Sequence, residues 1–158
     1  MNPASLLATW FGCGRLRPAP GTWGSLGAIP PALGLAWLGG WPLLLAGSLA
    51  IFLLGIWAGE RHAATLGRDD PGEVVIDEVA GQWLALAPLA LDWRLWLMGF
   101  LLFRLFDIVK PWPASWCDRV LPGGLGIMAD DMVAGLYAGA AAGLLGWWLW
   151  RIPCFPPP

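Results

Sequence analysis

A chain of 158 residues has the length of one domain, and 58% of its residues are hydrophobic whereas only 13% are charged. This composition, with a mean hydropathy of +0.62, excludes an intrinsically disordered chain and an ordinary cytosolic enzyme and indicates a lipid environment. The net charge of -2, without a basic block, argues against nucleic acid as a partner. We therefore predict one membrane domain over residues 1–158.

The first apolar region predicts two helices. No charged residue occurs between Arg17 and Glu60, a run of 42 residues that is too long for one membrane span. Residues 39–42, Gly-Gly-Trp-Pro, are a turn signal inside this run. We expect a short or partly re-entrant helix over about residues 26–38 and a nearly full-length span over residues 43–59.

Two further apolar regions follow. The stretch over residues 79–103 is interrupted at residues 91–94, which predicts two short helices joined by a tight loop. Residues 132–150 form a run of 19 without charge and predict the last span. The fold class predicted from these segments is all-α, a polytopic membrane bundle of about four to five short helices with a polar site on its cytoplasmic side.

The basic residues predict the orientation of the chain. Seven of them fall in the N-terminal, middle and pre-terminal polar segments, whereas only Arg94 and Arg151 fall in the alternating ones. This positive-inside bias predicts that the long polar segments face the cytoplasm and that the C-terminus lies outside. The tryptophans, 13 in all, suit anchoring at the two membrane surfaces, and the prolines at residues 156–158 are predicted to form a short tail.

Five carboxylates lie at the edges of apolar helices on this cytoplasmic side. They are Asp77, Glu78, Asp107, Asp130 and Asp131. A convergent group of carboxylates is what a hard divalent cation such as Mg2+ requires. The alternative is helix capping, since acidic residues are favoured at helix N-termini. Because one acid suffices for a cap and two adjacent acids repel, the pairs favour a functional site.

A second group combines cations with one of these acids. Arg104 and Asp107 are three residues apart on one helical face, and Lys110 follows another turn along. Arg104 and Lys110 are suited to phosphate, while Asp107 orients the arginine or binds a metal ion. The alternative is that these cations only extend their charges to the membrane surface, with Asp107 as a counter-ion.

Two segments are rich in glycine, and the first of them is predicted to be a rigid loop. Residues 18–25 carry Thr22 and Ser25 before the first apolar helix, and their backbone N–H groups could hold an anion, although a hydroxyl here is more often an N-cap. Residues 123–128 lead into the second acidic pair and permit close approach of a ligand. His62 is the only histidine and is predicted to be a membrane-surface residue, so a Ser-His-Asp triad is not expected.

Four motifs together resemble the phosphatidylglycerophosphatase A family of bacterial inner-membrane lipid phosphatases. The first is P-A-P-G-T-W-G-S-L at residues 18–26, and the second is V-x-D-E-x-x-G at residues 75–81. The third is F-R-x-x-D-x-x-K-P-W-P at residues 103–113, and the fourth is G-G-x-G-I-M-x-D-D-x-x-A-G at residues 123–135. The motifs extend through nearly the whole chain, and their combination is specific.

The resemblance implies Mg2+-dependent removal of the terminal phosphate of phosphatidylglycerophosphate, which yields phosphatidylglycerol. The metal ligands expected from it are Asp77, Glu78, Asp130 and Asp131. The expected catalytic residues are Asp77, Asp107, Asp131, Arg104 and Lys110. The expected substrate contacts are Thr22, Ser25, Arg104 and Lys110. With no histidine or cysteine nucleophile expected, attack by a metal-activated water is preferred to an aspartyl-phosphate intermediate.

Other functions remain as alternatives. A CDP-alcohol phosphotransferase would require a D-G-x-x-A-R motif and a later D-x-x-x-D pattern, which this sequence lacks. A cation channel or transporter would need acids deep in the membrane, whereas residues 43–59 and 132–150 contain none. A purely structural protein would tolerate replacement of Asp130 and Asp131 by asparagine.

Overall fold

A computed structural model describes residues 2–155 of the chain, and the described part is all-helical. It contains six α-helices, a single 3-10 turn at Cys13–Arg15 and no strand within those residues. The helices are α1 (Pro3–Ala8), α2 (Pro20–Leu66), α3 (Ile76–Leu86), α4 (Trp93–Val109), α5 (Ala114–Val120) and α6 (Gly123–Trp150). The predicted proline tail at residues 156–158 lies outside the described residues.

Helix α2 is a hairpin of two helical arms. Gly39 and Gly40 leave the helical conformation, and Gly40 has a φ of 63° and a ψ of -160°, which favours a residue without Cβ. A Cβ on Gly47 would lie 2.9 Å from Cδ1 of Leu35, twelve residues earlier, whereas a straight helix would separate these positions by about 18 Å. The predicted turn and its two flanking helices are therefore confirmed.

The hairpin extends further than predicted at both ends. Its first arm begins at Pro20, because proline fits the first helical position, where no intrahelical N–H bond is lost. Its second arm runs to Leu66 and is ended by Gly67 in the left-handed conformation. The predicted bounds of residues 26–38 and 43–59 covered only the apolar centres of these arms.

Helix α3 lies between the two arms of the hairpin. The Trp83 indole donates a hydrogen bond of 2.8 Å to the Ala28 carbonyl in the first arm. The Ser48 hydroxyl, in the second arm, donates a bond of 2.8 Å to the Ala80 carbonyl. The break predicted within residues 79–103 is confirmed, since residues 87–92 separate α3 from α4. Asp92 caps α4 by accepting a bond of 2.9 Å from the backbone N–H of Arg94.

Helix α6 packs against α3 and α4 through small residues. Its buried side carries alanines and glycines, which allow close contact between helix backbones, as in membrane proteins. These small residues are Ala134, Gly135, Ala138, Gly139, Ala142, Gly143 and Gly146. The helix begins at Gly123, nine residues before the predicted start at residue 132, so both Asp130 and Asp131 lie within it.

The outer surface of the bundle is apolar. Trp37 is 81% exposed and Leu144 is 70% exposed, and several further leucines of α2, α4 and α6 point outward. Surfaces of this kind are rare in water-soluble monomers. Two helices, Pro20–Leu66 and Gly123–Trp150, are long and apolar enough to cross a membrane, with mean hydropathies of 2.0 and 1.4 over their best windows.

The polar groups gather at one end of the bundle. The start of α3, the end of α4 and the first part of α6 meet there, together with Gly21 at the start of α2. Arg94 and Arg151 lie at the other end, where each guanidinium is 5.0 Å from the centre of a tryptophan ring. Arg94 and Arg151 are therefore at the end of the bundle opposite to Arg104 and Lys110.

Candidate active site

Three carboxylates from two helices form the centre of the polar end. Asp77 and Glu78 are in the first turn of α3, and Asp131 is in α6. One oxygen atom from each lies within 4.8 Å of the other two, which is a spacing that can hold a metal ion. Asp131 is buried, with 2% of its surface exposed, whereas Asp77 and Glu78 are half-buried. The structure thus brings together three of the five acids that the sequence predicted to converge.

Two glycines bring the acids together. A Cβ on Gly81 would lie 2.5 Å from the Asp131 carbonyl oxygen, and a Cβ on Gly135 would lie 2.4 Å from the Gly81 carbonyl oxygen. Both distances are too short for any real side chain. Helices α3 and α6 therefore touch backbone to backbone one turn away from the acidic residues.

The alternative of helix capping does not account for the acids. Asp130 and Asp131 are the eighth and ninth residues of α6, well beyond its first turn. Asp77 and Glu78 are in the first turn of α3, where they face favourable N–H groups, and the Asp77 carboxylate accepts a bond of 3.0 Å from the Glu78 N–H. Capping explains part of the placement of the first pair and none of that of the second.

Arg104 connects α4 to this cluster. Its Nη1 atom is 2.5 Å from the Asp107 carboxylate and 3.7 Å from the Glu78 carboxylate. The same nitrogen donates a hydrogen bond of 3.4 Å to the Ser25 hydroxyl in α2. The predicted pairing of Arg104 with Asp107 is confirmed, and Asp107 joins the site through the arginine.

Lys110 does not lie on the helical face that the sequence predicted for it. It is the residue that ends α4, with a left-handed φ of 46°, so it does not continue the helical face of Arg104 and Asp107. Its ammonium group is 2.6 Å from the Asp130 carboxylate and 2.8 Å from the Asp118 carboxylate. Asp130 is therefore paired with Lys110, and it lies outside the group of three carboxylates.

A cavity of about 510 Å³ opens beside these groups. Eight of the eleven acidic residues of the chain line it, with Lys110 and Arg119 as the cations. Sequence reasoning had missed three of these acids, which are Asp69, Asp70 and Asp118. They come from the connection before α3 and from α5, and no spacing relates them to the other acids. The only feature of the sequence that could have indicated these three acids is their proximity to the motifs along the chain.

The concentration of negative charge changes the ionisation of the carboxyls. Burial raises the pKa of Glu78 to about 8, and repulsion by Asp131 adds to the shift. Burial and the neighbouring Glu78 likewise raise the pKa of Asp77 well above its usual value. Burial alone lowers the pKa of the Lys110 ammonium, but its bonds to Asp118 and Asp130 outweigh that effect and raise it. The site favours bound positive charge.

Several buried polar atoms near the cluster have no hydrogen-bond partner within the described part of the chain. Among them are one carboxylate oxygen each of Glu78, Asp130 and Asp131, and the Nε of Arg104. Gln82, one turn beyond Glu78 in α3, is fully buried with both amide atoms unpartnered. Buried polar atoms normally have partners, so these atoms indicate a place where a ligand or ion supplies them.

Residues 20–25 of the first glycine-rich segment are helical, which corrects the prediction of a loop there, and residues 123–128 are also helical. Thr22 and Ser25 lie in the first two turns of α2, and Gly123 begins α6. The glycines are needed for close packing: a Cβ on Gly21 would lie 2.0 Å from a Glu78 carboxylate oxygen, and one on Gly124 would lie 2.0 Å from the Ile56 carbonyl oxygen. Ser25 is buried and accepts a hydrogen bond from Arg104. Thr22, three residues earlier, is half-buried.

His62 lies outside the site and is not at the protein surface as predicted. It is 2% exposed, and its ring nitrogens are 2.9 Å from the Ser5 hydroxyl and 2.7 Å from the Glu73 carboxylate. It therefore joins α1, α2 and the connection before α3. The cysteines at positions 13, 117 and 154 are not paired with one another in the described part of the chain.

Comparison with known proteins gives one consistent family. A family model described as phosphatidylglycerophosphatase A matches residues 6–146. A Haemophilus influenzae protein named phosphatidylglycerophosphatase A is 40% identical over 150 residues, covering 94% of this chain and 92% of that protein. A protein of the same name from Escherichia coli (strain K12) is 42% identical over 148 residues, covering 91% of this chain and 82% of that protein.

A third relative carries a different name. A Bacteroides thetaiotaomicron protein, provisionally named as a phosphatidylinositol-3-phosphatase, is 37% identical over 140 residues. The similarity covers 84% of this chain and 87% of that protein. No solved structure matches the chain.

Proposed function

Because the chain belongs to the phosphatidylglycerophosphatase A family, we propose that it hydrolyses phosphatidylglycerophosphate to phosphatidylglycerol and inorganic phosphate. Water adds to phosphorus, the bond from phosphorus to the glycerol oxygen breaks, and that oxygen gains a proton. The observation that carries this function is the cluster of Asp77, Glu78 and Asp131 beside a charged cavity at one end of an otherwise apolar bundle.

The cluster fits Mg2+ as its cofactor. All of its donors are carboxylate oxygens, which hard divalent cations prefer. Glu78 and Asp131 each have a buried oxygen that finds no partner among the described residues. We propose Asp77, Glu78 and Asp131 as ligands, with Asp130 as a fourth that Lys110 holds beside them. When bound, Mg2+ supplies positive charge that offsets the phosphoryl oxygens and favours the ionised form of a nearby water.

Arg104 is placed to bind the phosphoryl group. Its contacts with Asp107 and Glu78 fix the guanidinium, and its Nε, which has no partner within residues 2–155, leaves a donor for an anionic ligand. A donor that is already oriented stabilises the charge that shifts during phosphoryl transfer without further reorganisation. The short contact with Arg104 supports the role of orienting the arginine for Asp107, in preference to the role of metal ligand.

Lys110 is proposed as the second cation of the substrate site. It lines the cavity and also neutralises Asp118 and Asp130. Ser25 acts through Arg104, with which it shares a hydrogen bond, and Thr22 is proposed as a head-group contact at the start of α2.

The proposed location is the bacterial inner membrane, with several spans and the site facing the cytoplasm. The two arms of the α2 hairpin and helix α6 are the candidate membrane-crossing elements. The acids lie together at one end of the bundle, whereas a conduction path would need acids at depth. The positive-inside bias assigns this end to the cytoplasm, where a lipid phosphate head group is accessible.

The decisive experiment measures phosphate release by purified protein in detergent micelles. Phosphatidylglycerophosphate is supplied with Mg2+ or with a chelator, and Asp131→Asn is compared with wild type. We expect release that requires Mg2+ and falls about 100-fold or more in the variant. Asp92→Asn is the matched control, because Asp92 caps α4 at the opposite end of the bundle.

Two further lipids define the substrate. Phosphatidic acid tests whether the enzyme needs the glycerol between the phosphates, and phosphatidylinositol 3-phosphate tests the activity named for the Bacteroides relative. A folded protein that releases phosphate from none of the three lipids would refute the proposed function. Release that continues unchanged in the chelator would refute the role of Mg2+ while leaving the phosphatase activity in place.

A further inference from the structure

An apolar groove runs along the side of the bundle, separate from the charged cavity. It has a volume of about 550 Å³ and lies between the second arm of α2, helix α3 and helix α6. Gly135 and Gly139 line it with buried backbone, and the exposed side chains of Leu136 and Leu144 line it from the same helix. We refer to this feature as the lateral groove.

The lateral groove begins next to the carboxylate cluster. Asp131 and Gly135 are one turn apart on α6, a rise of about 6 Å, and the Gly81 carbonyl oxygen lies against Gly135. Leu144, which lines the far part of the groove, is about 20 Å along the helix from Asp131. One leaflet of a bilayer has a hydrocarbon depth of about 15 Å. The groove therefore has the length of a membrane acyl chain.

The far end of the groove is closed by the C-terminal segment. The Phe155 ring packs edge-on against Trp41 with ring centres 5.2 Å apart, and the Phe155 N–H donates a bond of 2.8 Å to the Pro88 carbonyl. These contacts hold Phe155 across the groove where α2 turns and α3 has ended. A closed end distinguishes this groove from an open seam between two helices.

We infer that the lateral groove binds one acyl chain of the lipid substrate while its phosphate lies in the charged cavity. This inference rests on the proposed function and adds a second binding region to it. A phosphomonoester on a diacylated lipid has a polar head group followed by apolar chains. Along α6, the acids come first and the residues that line the apolar groove follow them, so the two sequences of polar and apolar groups correspond. Met132, half-buried on α6 four residues before Leu136, lies along the helix between them.

Chain selectivity follows from this arrangement. Burial of an acyl chain is favourable when the chain leaves water, but it contributes little when the chain merely exchanges one lipid environment for another. The groove therefore acts mainly by orientation: an ordered chain holds the head group against the cluster, as remote binding groups do in other enzymes. We therefore expect this orientation to raise kcat/KM for a long-chain substrate and to leave kcat/KM for a head group without chains unchanged.

The test fills the groove and leaves the charged cavity unchanged. Ala140 lines the groove and is exposed, so Ala140→Phe places a ring there without displacing α3. Ala50→Phe is the matched control, because Ala50 is an exposed alanine of α2 that does not line the groove. Both variants are assayed with dipalmitoyl phosphatidylglycerophosphate and with its deacylated head group, glycerophosphoglycerophosphate.

We expect Ala140→Phe to lower kcat/KM for the dipalmitoyl lipid about tenfold while leaving hydrolysis of the deacylated head group unchanged. Ala50→Phe should alter neither rate. Equal losses on both substrates, or no loss on either, would overturn the assignment of the groove.

A second measurement does not depend on catalysis. Phosphatidylglycerophosphate with a photoreactive group in one acyl chain is cross-linked to the wild-type protein, and the labelled peptide is identified. Labelling concentrated on residues 135–144 supports the groove even if no phosphate is released, which would refute only the proposed function. Labelling spread evenly over exposed leucines such as Leu53 and Leu101 would overturn the groove.

Discussion

Gly81 of α3 and Gly135 of α6 lie so close that a Cβ on Gly135 would be 2.4 Å from the Gly81 carbonyl oxygen. This contact sets the distance between the two helices that carry the carboxylate cluster. The residues that carry charge in the site are therefore positioned by residues that carry no side chain. The contact between the glycines is as much a requirement of the site as the acids themselves.

The first prediction concerns this contact. Gly81→Ala should push α3 away from α6, because the new Cβ would lie 2.5 Å from the Asp131 carbonyl oxygen. Displacement of a catalytic group by about 1 Å commonly costs about 100-fold in rate, so we expect a loss of that order in phosphate release. Gly34→Ala is the matched control: Gly34 is helical and has no atom within 4 Å of its would-be Cβ. Equal activity in the two variants would contradict the packing argument.

The second prediction concerns binding of Mg2+ without reference to catalysis. A ligand that binds only the folded protein stabilises it by about 2.7 kcal/mol when present at 100 times its dissociation constant. We expect Mg2+ to raise the thermal midpoint of the wild-type protein in detergent and of Asp92→Asn. Asp131→Asn should melt at the same temperature with and without Mg2+, since one of the three clustered carboxylates is gone. An undiminished shift in that variant would place the cation elsewhere.

The third prediction separates the two partners of Lys110. Asp130 is buried and Asp118 is largely exposed, with side-chain exposures of 6% and 41%. Lys110→Met leaves the buried Asp130 without its counter-ion and should reduce the free energy of unfolding by about 2 kcal/mol. Asp118→Asn removes only an exposed pair and should cost about 0.5 kcal/mol or less. Chemical denaturation in detergent measures both, and the reverse order would show that Asp118 is the principal partner.

The fourth prediction assigns His62 to stability. Loss of its contacts with Ser5 and Glu73 in His62→Ala should destabilise the protein by about 1 to 3 kcal/mol. Phosphate release below the melting temperature should be retained, because His62 does not line the charged cavity. Thr65→Ala, an exposed position one turn along, is the control. A His62→Ala protein with a wild-type melting curve and no activity would instead place the histidine in the reaction.

Hydrophobic patterning predicted the number and order of the principal helices well, since apolar runs and the turn at Gly39 and Gly40 are local signals. It misplaced the starts of α2 and α6 because proline and glycine were taken as loop formers. Pro20 is in fact favoured at a first helical position. Gly124 is required because the Ile56 carbonyl lies where its Cβ would be. The close approach of two helices depends on the tertiary structure, which the pattern of a single sequence does not reveal.

The site was predictable in part for the same reason. Asp77, Glu78 and Asp131 stand in recognisable motifs next to apolar helices, and the structure brings them together. The partnership of Lys110 with Asp118 depends on how the chain turns after α4, which the helical spacing of Arg104, Asp107 and Lys110 does not reveal. Buried Gln82 was missed because an amide one turn after an acid gives no distinctive pattern.

The carboxylate cluster also has a consequence for the way the protein is made. Asp131 follows Glu78 by 53 residues and belongs to the last helix of the described chain, whereas both acids of α3 are synthesised well before it. Chains emerge from the ribosome N-terminal end first. The carboxylate cluster is therefore complete only when α6 has packed beside α3. A chain that ends before α6 contains two of the three acids and therefore lacks the carboxylate cluster.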